Sequence, residues 1–170
     1  MLKIAGCILI ILASTYIGVG YVNSMKKRID SLSQMIELLT VVKIKLEYEL
    51  CAIPELFRHI INQEQGTYLC FLRYCVGKID AGTSLKSSWN KSVEKFSGEM
   101  CLSKNDTALL MDFSQTLGDT DVSGQLSNIE MYIELLGKNL KEAKKEVTDK
   151  SRVSISCSLF LGLLISILLI

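Results

Sequence analysis

LSNIEMYIELLGKNLKEAKKEV, residues 126–147, decides the fold. Its apolar positions Leu126, Ile129, Ile133, Leu136, Leu140, Ala143 and Val147 recur at alternating steps of three and four, the spacing that lines side chains along one stripe of an α-helix. A matching stretch opens at Met25. There Met25, Ile29, Leu32, Ile36, Leu39, Leu46 and Leu50 keep the same period, with Lys43 standing on the stripe. The spacing predicts two long amphipathic helices, packed antiparallel as the first and last members of an all-α bundle. No stretch sustains apolar alternation, so no sheet is expected.

Four shorter helices are expected between them, which makes a six-helix domain. Pro54 suits a first helical residue, because its missing N–H costs nothing there, and Leu56, Phe57, Ile60 and Ile61 give that helix an apolar face. Gly66 ends it. Tyr68, Leu69, Phe71, Leu72, Val76 and Ile79 form the next, closed by a turn at Asp80, Ala81 and Gly82. Thr83 or Ser84 caps a fourth helix with a stripe of Leu85, Trp89, Val93 and Phe96. Gly98 closes that one. Ser103 followed by Asp106 has the pattern of a reciprocal N-terminal cap, ahead of Leu109, Leu110, Phe113 and Leu117. Gly118 then fits the left-handed position just past the helix end.

Charged residues make up 22% of the chain, yet apart from Lys3 they all fall between Lys26 and Arg152. Two uncharged apolar blocks remain. Ile4–Val22 would form a helix about 28 Å long and Val153–Ile170 one of about 27 Å, each close to a bilayer core. The expected organisation is therefore a transmembrane helix over residues 1–23, a domain over 24–150 and a second transmembrane helix over 151–170. A cleaved signal peptide competes for the first block, with Gly18 and Gly20 as small residues. The apolar run exceeds a signal core, however, and Lys26, Lys27 and Arg28 follow it as a stop-transfer flank. Those three residues, with Lys144, Lys145, Lys150 and Arg152 before the second block, put the middle domain in the cytoplasm and both termini on the opposite side.

Little in the chain suggests catalysis. There is one histidine, His59, beside Arg58, and no phosphate-cradling loop, dinucleotide fingerprint or nucleophile turn. Cys7 and Cys157 sit in the expected spans. Cys51, Cys70, Cys75 and Cys101 would be free thiols in a reducing compartment, and the spacing of Cys70 and Cys75 puts them on different helix faces, unlike a zinc site. Neither a metal nor another cofactor is expected, and no enzyme. Lys138, Lys141, Lys144, Lys145, Lys150 and Arg152 are interleaved with Glu142, Glu146 and Asp149, which describes a solvated helix face and not a nucleic-acid site. Glu47, Glu49, Asp119 and Asp121 would form salt bridges or a partner-docking surface. No charged residue lies inside either expected span, so a pore is not indicated.

Ordered marks along the chain resemble the stage III sporulation protein AB family of endospore-forming bacteria. They are Met1 to Gly6; Leu46, Glu47, Tyr48, Glu49 and Leu50 with Pro54 following; Ala81 to Ser84 leading to Trp89; Phe113 to Asp121 with Gln125 following; and Leu161 to Leu164. Ser158 stands where members commonly carry a second glycine, and the tract before Pro54 is shorter than usual. The resemblance implies an inner-membrane, mother-cell subunit of the transenvelope complex that links mother cell and forespore, with both termini in the intermembrane space. It also implies a cytoplasmic domain similar to the six-helix domain of the type II secretion system F platform. The implied partners are the secretion-ATPase-like stage III sporulation protein AA, other stage III sporulation membrane subunits and further copies of the chain. Trp89, Gly118, Asp121 and Gln125 would hold the domain's shape or form its docking face. The competing reading is a membrane-tethered adaptor or signalling module with no part in transport.

Overall fold

The computed structural model describes the backbone of residues 2–49, 51–63, 68–118 and 121–169, and the side chains of residue 13 and residues 15–48, 51–62, 68–118 and 121–149. Six helices follow one another: α1 (Leu2–Glu49), α2 (Ile53–Gln63), α3 (Leu69–Asp80), α4 (Leu85–Phe96), α5 (Lys104–Thr116) and α6 (Val122–Leu169). Among the described residues there is no strand. Two compact units emerge, one of Met1–Ile29 with Lys141–Ile170 and the other of Asp30–Leu140.

In the first unit α1 and α6 are tied by Arg28, whose Nη1 donates to Glu146 Oε2 at 3.1 Å. Arg28 had been expected only as a basic flank; here its guanidinium is mostly covered. Val22 is buried, while Tyr16 and Ile17 are 81% and 71% exposed. Among the described residues no helix is long and apolar enough to cross a membrane. The side chains of residues 1–12 and 150–170, which make up most of the two apolar blocks, lie outside the described set, as does the thiol of Cys7 or Cys157.

The second unit is built on local signals that the sequence displays. Ile53 opens α2 with Pro54 in the first turn, and Glu55 and Leu56 both donate their N–H to the Ala52 carbonyl. Gly66 falls outside the described residues. α3 stops at the Ala81–Gly82 turn, where Gly82 takes φ +86°. Ser84 caps α4, its Oγ accepting from the Ser87 N–H. The Ser103–Asp106 capping box is complete in both directions at 3.1 and 2.9 Å.

An aromatic chain crosses the core through five helices. Phe57 of α2 lies 6.0 Å from Trp89 of α4, Phe71 of α3 meets Trp89 edge-on at 5.0 Å, Trp89 meets Phe113 of α5 at 5.1 Å, and Phe113 meets Tyr132 of α6 at 5.2 Å. α1 closes the core with Leu32, Met35, Leu38, Leu39, Val42 and Leu46. Burial of an aromatic side chain of this size contributes about 2 to 3 kcal/mol from area alone.

The register of the long helices differs from their apolar periodicity. In α6 the deepest residues besides Ile129, Leu136 and Ala143 are Gln125, Tyr132 and Asn139, while Leu126, Ile133 and Leu140 are half-buried. In α1 Met35, Leu38 and Val42 are buried and Ile29 and Ile36 are not. The reason is hydrogen bonding: Gln125 and Asn139 can face the core because α5 offers them partners. Lys43 sits at the core's edge and reaches Glu130 Oε1 at 3.1 Å.

Candidate functional site

The turns that end one side of the second unit enclose an apolar cleft of about 250 Å³. It is lined by Leu46 of α1, by Cys51, Ala52, Ile53 and Pro54 at the α1–α2 bend, by Leu85 at the start of α4, and by Gly118, Val122 and Gln125 at the α5–α6 corner. These positions lie far apart in sequence. Three of the tracts that define the family resemblance nonetheless meet on this one concavity.

The α5–α6 corner owes its shape to three of the singled-out residues. Gly118 follows Leu117, the C-cap of α5, at φ +81°, a conformation that an L side chain adopts only at a cost. Space is not the constraint, since an added Cβ would meet only Leu85 Cδ2 at 3.9 Å. Asp121 then caps α6: its Oδ1 accepts from the Gly124 N–H at 3.1 Å and its Oδ2 from the Ser123 hydroxyl at 2.7 Å. Those two bonds, the Ser123 hydroxyl first, hold its carboxyl below the ordinary carboxylate range. Gln125, buried, donates from Nε2 to the Thr116 carbonyl at 2.8 Å and binds the corner back onto α5.

Trp89 lies elsewhere. It is wholly buried in the aromatic chain and donates from Nε1 to the Leu110 carbonyl at 2.8 Å, so its contribution is to the core. Glu47 is exposed beside the cleft-lining Leu46, and the side chain of Glu49 and the whole of Asp119 lie outside the described residues. Glu47, Glu55 and Asp121, each next in sequence to a cleft residue, are exposed carboxylates. Tyr48 is 80% exposed and Val122 39% exposed, an apolar display that a solvated helix end has no need of.

Sequence reasoning missed two features. Val122 and Leu85 are cleft residues that periodicity assigns to nothing or to the core; a large apolar residue directly after an Asp cap was the available signal. The second is a buried carboxylate, Asp106. Besides closing the capping box, its Oδ1 accepts from Asn139 Nδ2 at 2.8 Å, and Asn139 Oδ1 accepts from Asn105 Nδ2 at 3.4 Å. Asn139, about four turns from Gln125 in an otherwise apolar stripe, was the signal for it.

Cys70 is exposed and Cys75 buried, the two faces that their spacing requires. Burial pushes the Cys75 thiol up to about 11, with the Ser92 hydrogen bond opposing. His59 lies exposed on α2. Among the described residues no group of histidine, cysteine or carboxylate side chains is arranged to hold a metal ion.

The second unit is thus an all-α bundle with an apolar cleft on one side. The stage III sporulation protein AB family model matches residues 3–170, and the chain belongs to that family. It is similar to stage III sporulation protein AB of Bacillus subtilis (strain 168), 23% identical over 170 residues that cover 99% of each chain. No solved structure matches it. The chain is thus a sporulation protein.

Proposed function

We propose that the chain is a non-enzymatic platform subunit of the sporulation transenvelope complex, anchored by helices at both ends and docking a cytoplasmic secretion-type ATPase on the cleft and the carboxylates beside it. The supporting observation is convergence: Leu46, Cys51 to Pro54, Leu85, Gly118, Val122 and Gln125, distant in sequence, build one apolar concavity, and the exposed Glu47, Tyr48, Glu55 and Asp121 lie close to these residues in sequence. Apolar anchors inside a charged rim are the usual anatomy of a protein interface.

Membrane anchoring rests on the two uncharged blocks and on Tyr16, Ile17, Val19 and Tyr21, which α1 displays to its surroundings. Apolar residues shown in that density suit lipid or a neighbouring helix better than water. In this reading the domain faces the cytoplasm of the mother cell. α1 and α6, each a single helix of 48 residues, pass motion of the docked ATPase to the bilayer. The membrane-tethered adaptor without transport remains the alternative, and it predicts binding without any change in ATPase turnover.

Cys51 lines the cleft and supplies the test. The full chain, with its other reactive cysteines replaced by serine, would carry a photo-crosslinker on Cys51 in membranes with stage III sporulation protein AA. Crosslinking to the ATPase, lost when Val122 is changed to Arg, is the expected result. Equal crosslinking in both chains would remove the cleft from the account.

A further inference from the structure

The solvent face of the α3–α4 hairpin holds a second surface that shares no residue with the cleft. Tyr74 of α3 stands at its centre. Lys95 of α4 places Nζ 4.0 Å from the centroid of that ring, and Lys78, one turn along α3, places its own at 5.3 Å. Phe96 meets Tyr74 edge-on at 5.8 Å and has Lys95 at 5.4 Å. Lys91, exposed, lies one turn before Lys95, and Arg73, also exposed, adjoins Tyr74.

Among the described residues, Lys78, Lys91 and Lys95 form no ion pair, whereas Arg28, Lys43, Arg58 and Lys138 each have a carboxylate partner. The nearest acid of the hairpin turn, Asp80, is taken by Arg58 on the α2 side at 2.6 Å. Glu94 lies about 100° around α4 from Lys95. Glu94 neighbours Lys91 at a spacing of three without a described ion pair between them, and the two ammonium groups that converge on one ring, with a third a turn away, repel one another until an anion is supplied.

We infer that this hairpin face is a docking surface for an acidic segment of a protein partner, one that presents carboxylates a helical turn apart to Lys91, Lys95 and Lys78 with an apolar side chain against Tyr74 and Phe96. An anionic membrane fits less well, because α3 and α4 show no large exposed aliphatic residue to enter the acyl region. Nucleic acid fits less well too. The basic residues extend over about two helical turns, too short for a phosphate track. A platform between two partners needs two separate surfaces, and this one is independent of the fate of the cleft.

The test uses the full chain in phosphatidylcholine nanodiscs, titrated into a fluorescein-labelled helical peptide with glutamates four residues apart. Parallel titrations use a ten-nucleotide single-stranded RNA and vesicles containing phosphatidylglycerol. Saturable peptide binding, weakened about tenfold by Lys78→Gln with Lys95→Gln and by Lys91→Glu alone, is the expected result. Lys138→Gln should leave it unchanged. No measurable peptide binding, equal binding by the variants, or tighter binding of the RNA or vesicles would overturn the inference. Lys91 touches neither ring, so its variant keeps the test valid even where the double variant loses its fold.

Discussion

Two aspartates serve the N-termini of two consecutive helices of this protein, and they sit in opposite surroundings. Asp106, the third residue of α5, completes from inside the core the box that Ser103 caps, bonded to the Ser103 backbone and to Asn139 of α6 and fully hidden from solvent. Asp121 opens α6 from the surface, bonded only to Ser123 and Gly124 beside it. The same local chemistry therefore serves two ends. At Asp106 the carboxylate joins two helices and cannot meet a partner; at Asp121 it shapes a corner while its charge stays exposed, next in sequence to the cleft-lining Val122.

The contrast predicts unequal losses. Asp106→Ala should break the capping box and leave Asn139 with an unsatisfied buried amide, costing about 3 kcal/mol in thermal unfolding of the full chain in nanodiscs. A loss no larger than that of a surface alanine would erase the distinction. Gly118→Ala should cost about 1 kcal/mol, all of it backbone strain at φ +81°, since the new methyl has room beside Leu85.

Asp121→Ala should lower the melting temperature by less than Gly118→Ala does, and Asp121→Asn by almost nothing, because asparagine caps equally well. The acid limb separates the pair further. The fold favours the ionised Asp121, so its contribution is complete above the ordinary value of 3.8 and fades as pH falls through the lower folded value. The asparagine variant should show less acid destabilisation than the natural chain between neutral pH and pH 3.

The thiols report the same division between core and surface without changing stability. Cys51 on the cleft should react with a maleimide in the folded chain, and Cys75 only after unfolding. The fold prefers the protonated Cys75 thiol. Its stabilising effect is therefore whole below pH 9 and disappears as pH rises through about 11.

Much of this fold was legible because its punctuation is local. Ser84, the Ser103–Asp106 box, Gly82 and Gly118 each act through the nearest turn of backbone and appear where the sequence puts them, and Pro54 falls one residue inside the start of α2. The register of α1 and α6 was not legible in the same way. Apolar periodicity selects Leu126, Ile133 and Leu140, yet Gln125, Tyr132 and Asn139 lie deeper because α5 satisfies them, and the polar breaks at Gln125 and Asn139 do not by themselves name the α5 groups they meet. The singled-out residues divided likewise. Gly118, Asp121 and Gln125 form one corner, Trp89 belongs to the core, and Glu47 is exposed next in sequence to the cleft-lining Leu46. The cleft itself is a product of three distant turns and could be seen only once they were brought together.

In the proposed function, carboxylates beside the cleft bind the ATPase while the α5–α6 corner shapes the cleft. Glu47→Gln combined with Asp121→Asn removes two of these charges and keeps the helix cap. The deciding measurement is the affinity of stage III sporulation protein AA for the full chain in nanodiscs, with turnover followed in the same samples. About a tenfold loss of affinity at an unchanged melting temperature, with the change in turnover lost alongside, is the predicted result. Undiminished affinity and turnover in the doubly substituted chain would contradict it.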